Sequence, residues 1–139
     1  MEFIIGLMAA LSVCGAARVL GMDRERVFYP LMMIVIASYY LLFAVMSKSG
    51  PALMLESIVA GMFLIVAVAG FKKNLWLVTI ALAGHGIFDF FHHRLIENSG
   101  VPSWWPGFCL TFDVAAGVVL AVLLVTGMIA AKIGLPPPS

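Results

Sequence analysis

Apolar residues run in five long stretches, separated by short polar punctuation. The stretches are Phe3–Leu20, Tyr29–Met46, Ala52–Phe71, Leu75–His92 and Phe108–Ala131. Each approaches the ~20 residues that a helix needs to cross a bilayer. None shows the alternation of a half-buried strand or the narrow stripe of a soluble amphipathic helix. The pattern predicts an all-α fold: a single domain over 1–139, built as a bundle of five transmembrane helices.

The punctuation fits helix ends. Pro30 and Pro51 stand in first turns, where a missing N–H costs nothing. Asn74 is placed to cap the fourth helix. Pro102, Pro106 and Gly107 close the longest connection, Arg94–Gly107, where Trp104 and Trp105 suit the headgroup layer or a lid. The tail 134–139 ends in three prolines and cannot continue a helix. The first stretch lacks a basic leader, since Arg18 follows the apolar run, and it reads as a retained helix.

Composition agrees. Hydrophobic residues make up 63% of the 139 residues and charged residues 11%, with a mean hydropathy of +1.12. A soluble domain has about 25% charged residues, so lipid is the solvent for most of these side chains and the bilayer is the first partner. A net charge of +1 with no basic, aromatic-interleaved patch excludes nucleic acid. No phosphate-binding loop or dinucleotide fingerprint is present.

Charge also gives a direction. In the five-span topology Arg18, Arg24, Arg26, Lys72, Lys73 and Lys132 share one side and only Lys48 and Arg94 the other. The positive-inside rule puts the N-terminus outside and the C-terminus in the cytoplasm, in a plasma or inner membrane.

The chemistry lies at the end of the fourth stretch, Ala83–His93, which holds all three histidines. His85, Asp89 and His92 are spaced i, i+4, i+7 and so share one helical face, with His93 at its edge. The alternating directions bring Glu56 of the third span and Asp113 of the fifth to the same outer-leaflet layer, while the inner half of the bundle holds almost no such groups. Ionisable residues are expensive in a membrane and mark function by default.

The expected site is a divalent transition metal, zinc or iron, on His85, Asp89 and His92. His93, Glu56 or Asp113 would complete it or serve as acid and base. A metal-dependent enzyme acting on a lipid-like or apolar substrate follows from that reading. The opposing reading is non-catalytic: an ion- or proton-coupled carrier, or an accessory subunit with a structural polar network. Asp89-x2-His92-His93 resembles one histidine box of membrane desaturases and hydroxylases, families that need several boxes where this chain has three histidines in all. The His and Asp combination also slightly resembles membrane-embedded zinc hydrolases, which draw histidine from a second helix.

Cys14 and Cys109 are expected at different depths and unbridged. Gly6, Ala10 and Cys14, then Gly117 with Ala121 and Gly127 with Ala131, form small-residue ridges suited to close helix packing or a homo-oligomer.

Overall fold

The computed structural model describes residues 1–134; the proline tail expected over 134–139 lies almost wholly outside them. The fold is all-helical, with α1 (Glu2–Leu20), a 3-10 turn at Met22–Arg24, α2 (Phe28–Met46), α3 (Gly50–Lys72), α4 (Trp76–Leu95) and α5 (Trp105–Val125). Four of these, α1, α2, α3 and α5, are long and apolar enough to cross a membrane. α4 has the length, at 20 residues, but its imidazoles and charges dilute its hydropathy.

Local signals account for most helix ends. Ser49 Oγ accepts the Ala52 N–H at the start of α3, with Pro51 in the first turn. Asn74 Oδ1 accepts the Trp76 N–H as α4 begins. Gly21, at φ 75°, ends α1 in the left-handed conformation that glycine adopts without strain. The expected fifth span is the least accurate. It starts earlier, at Trp105, and stops at Val125 rather than Ala131. Gly127, at φ 70°, breaks the helix there. The Ile129 N–H then returns to the Leu123 carbonyl, and the Ala131 carbonyl accepts the Leu75 N–H.

α5 is the central element, packed on α1 along one side and on α4 along another, while α2 packs on α3. Small residues set these distances. Gly6, Ala10, Cys14 and Ala17 form the buried ridge of α1. A Cβ on Gly6 would collide with the Phe108 carbonyl and Thr111 Oγ1 of α5, whereas one on Gly15 would meet open space. Gly6→Leu is therefore expected to cost about 1–3 kcal/mol by forcing α1 from α5. Gly15→Leu serves as the control, and thermal unfolding in detergent separates the two. Gly117 is used inside the chain, against Thr79 and Leu82 of α4. Gly127 and Ala131 lie beyond the end of α5, so they form no ridge on it.

The two ends of the bundle are tied differently. At one end, Arg26 donates to the carbonyls of Phe71, at the end of α3, and Ala130. Arg18 pairs there with Asp23 at 3.3 Å. Asp23 is only 1% exposed, the one buried carboxylate at this end among the described residues, against Glu56, Asp89 and Asp113 in the other half. The chain buries it because the 3-10 turn folds back over the end of α1, a reversal that starts at Gly21. At the other end, the α4–α5 connection is pressed onto α2: Gly100 lies so close to the Phe43 carbonyl that a side chain would overlap it.

The outer surface is almost uniformly apolar, with Ile4, Met8, Leu31, Ile58, Ile65 and Ile80 all more than half exposed. Polar groups turn inward instead. α4 shows this most clearly: Val78, Leu82, His85, Asp89 and His92 are buried on one face, while Ile80, Ile87 and Phe90 face out. That inversion suits a chain solvated by lipid.

Candidate metal centre

His85, Asp89 and Asp113 meet between α4 and α5, each no more than 1% exposed. His85 and Asp89 share a face because they are one turn apart on α4. Asp113 reaches them because Gly86 lets α5 approach: a Cβ there would lie 3.0 Å from the Leu110 carbonyl oxygen and 3.2 Å from Asp113 Cβ. His85 Nδ1 lies 2.8 Å from Asp113 Oδ2, and its Nδ1–H tautomer donates to that oxygen. Asp89 Oδ2 is 3.1 Å from the same nitrogen. The two carboxylates thus face one imidazole nitrogen between them, while Asp89 Oδ1 and Asp113 Oδ1 are buried without a hydrogen-bond partner among the described residues. One ligand atom from each of the three residues lies within 4.8 Å of the others. The Phe63 ring, edge-on to His85 at 4.6 Å, closes the site with an apolar wall.

His92 belongs to a second group. Its Nε2 is 2.7 Å from Glu56 Oε1 on α3. Asn98 Nδ2 donates to the same oxygen at 2.9 Å and lies 3.2 Å from the Tyr40 carbonyl. The Tyr40 ring stacks on the His92 imidazole, centroids 4.1 Å apart at 17°. One carboxylate thus joins α3, α4 and the α4–α5 connection, and Asn98 ties them to the Tyr40 carbonyl of α2. His92 also lines a recess of about 490 Å³ beneath that connection, together with Asn98, Ser99, Val101 and Ser103.

The expected residues therefore divide. His85 and Asp89 come together, joined by Asp113 instead of His92; His92 pairs with Glu56; and His93 is exposed at the end of α4. Asn98 was not expected, because an Asn before Ser-Gly reads as an ordinary turn residue. Its only sequence signal is its place in the longest loop. Tyr40 is buried and Tyr39 faces outward. Cys14 and Cys109 are both free.

A long apolar groove runs on the other side of α5, about 940 Å³ in volume, between α1 and α2. Asp113 and Cys109 contribute to its floor. The only polar residue of the centre that borders the groove is thus also hydrogen-bonded to His85. No family model, no curated protein and no solved structure matches the chain, so the chemistry of this site is argued from its own residues.

Proposed function

We propose that this chain is a membrane-embedded, metal-dependent enzyme acting on an apolar, lipid-like substrate. The observation that carries the reading is the convergence of one imidazole and two carboxylates, His85, Asp89 and Asp113, all fully buried and with one ligand atom of each within 4.8 Å of the others. One imidazole cannot neutralise two buried carboxylates, and an uncompensated buried charge costs several kcal/mol. Proteins meet that cost with a counter-charge or a metal ion. One imidazole and two carboxylates form a hard, borderline donor set that suits zinc or iron, with His85, Asp89 and Asp113 as the ligands. Three protein ligands leave a position for water, whose acidity such an ion raises.

The Glu56–His92 pair supplies acid–base chemistry in this reading. Glu56 orients the imidazole through Nε2, and the ring borders the recess beneath the α4–α5 connection. The apolar substrate approaches from the opposite side, along the groove that Asp113 borders. α4 is a span as well in this reading, which makes five, with its polar face turned into the bundle. The six-to-two distribution of Lys and Arg puts the centre toward the non-cytoplasmic side.

Among the described residues, a carrier is disfavoured by what separates the two polar ends. Met33, Leu82 and Leu120, all fully buried, belong to the apolar core below His85 and Asp113, apart from the Arg18–Asp23 pair at the other end. An accessory role has the Glu56–His92–Asn98 cluster in its favour, since its bonds alone clamp α3, α4 and the following loop.

Turnover separates the readings. Protein reconstituted in vesicles of a total lipid extract is incubated with zinc or ferrous iron and the lipids are profiled by mass spectrometry. The expected result is a metal-dependent change in one lipid class that a chelator and the His85→Ala variant both abolish. Identical lipid profiles with and without metal would favour the accessory role.

A further inference from the structure

We infer that Tyr40 is a positioning residue of the metal centre: its hydroxyl donates to the Asp89 oxygen that the ion leaves free. The aromatic contacts fix where Tyr40 stands. Its ring stacks on the His92 imidazole, with centroids 4.1 Å apart, and lies 6.2 Å from the His85 ring. His85 and His92 are two turns apart on one face of α4, with Asp89 between them. A ring on α2 that meets both imidazoles therefore lies across Asp89, and its phenol faces the carboxylates of Asp89 and Asp113. The backbone is held in place as well, because Asn98 Nδ2 donates to the Tyr40 carbonyl at 3.2 Å.

The hydroxyl is the unexplained group. Tyr40 is 2% exposed, yet its hydroxyl has no hydrogen-bond partner among the described residues. A buried phenol ordinarily finds one, since stranding it costs stability. Asp89 Oδ1 is in the same position, buried without a partner, whereas Oδ2 lies 3.1 Å from His85 Nδ1. A free donor and a free acceptor thus adjoin across α2 and α4. A carboxylate that ligates an ion through one oxygen is held in orientation by a hydrogen bond to the other.

No other neighbour supplies that bond as well. His92 Nε2 is engaged with Glu56. Cys109, one turn before Asp113 on α5, also borders Asp89, but a thiol is a weak donor. The stack on His92 would be served equally by phenylalanine, so it gives no reason for the hydroxyl. The assignment rests on the metal-centre reading and adds α2 to the helices that build the centre.

Zinc affinity of the full-length protein in mild detergent, measured by competition with a chromogenic chelator, tests the assignment. Tyr40→Phe keeps the stacked ring and removes only the hydroxyl. Its zinc affinity is expected to fall roughly 10–100-fold. Its unfolding midpoint in the presence of chelator should stay within about 2 °C of wild type, since the hydroxyl has no bond to lose there. Tyr39→Phe, at the outward-facing neighbour, should bind zinc as wild type does. Unchanged affinity in Tyr40→Phe would overturn the assignment and leave the centre standing. A loss in Cys109→Ala as large as that in Tyr40→Phe would also overturn it, giving the role to the thiol. Wild-type protein that binds no zinc or iron would overturn the centre itself, and the assignment with it.

Discussion

Asp89→Asn should stabilise the metal-free protein and abolish its stabilisation by metal. The Asp89 carboxylate is wholly buried and shares the single His85 Nδ1 with Asp113. Removing one of two buried carboxylates that face a single imidazole relieves a desolvation cost, and the amide can donate to Asp113 Oδ1, which lacks a partner. A gain on the order of 2 kcal/mol is expected without metal. With metal at a hundredfold excess over its dissociation constant, the wild type should gain about 2.7 kcal/mol and the variant nothing. The ranking of the two proteins thus inverts on adding metal. Thermal unfolding in detergent, with chelator and then with zinc or iron, reads it directly. A variant less stable than wild type under both conditions would mean that Asp89 works as a structural acceptor.

Glu56→Leu should be far more damaging to stability and leave metal content untouched. Glu56 Oε1 accepts from both His92 and Asn98, and the acceptor is 1% exposed. Its loss strands an imidazole N–H and an amide N–H in the bundle. Leaving two buried donors without their acceptor costs about 1–3 kcal/mol each. Glu56→Gln, which keeps an acceptor oxygen, should lose less than half of that. Unfolding midpoints together with metal analysis check the pair of variants. Loss of metal in Glu56→Leu with unchanged stability would put Glu56 among the ligands.

The difference between these variants also marks where sequence reasoning reached its limit. The five helices were legible because run length alone reports an apolar helix, and the punctuation by Pro30, Pro51 and Asn74 lay where backbone chemistry requires it. The end of α5 was not, because Ile129, Ala130 and Ala131 remain apolar after Gly127 has turned the chain. At the site, the 3.6-residue period correctly put His85, Asp89 and His92 on one face. It could not choose the ligands, because a shared face is not a shared depth. His85 and His92 are two turns apart, roughly 10 Å along the axis, whereas metal–ligand bonds are about 2 Å. Asp113 fills the place expected for His92 because α5 runs antiparallel beside α4 and Gly86 lets it close. That information is tertiary. His93, about 100° round the helix from His92, turns outward. Asp23 and Asn98 were missed for one reason: loop residues carry no periodicity from which burial can be read.

The account stands most directly on the metal content of the wild-type protein, purified in mild detergent without an affinity step that uses metal. Elemental analysis beside Asp113→Asn and His85→Ala is the measurement. The structure-based expectation is close to one zinc or iron per chain in wild type and background levels in both variants, with all three proteins monodisperse. Wild-type protein that holds no transition metal, even after incubation with zinc or iron and removal of the excess, would contradict the metal centre and leave His85, Asp89 and Asp113 as a proton-bearing or structural cluster.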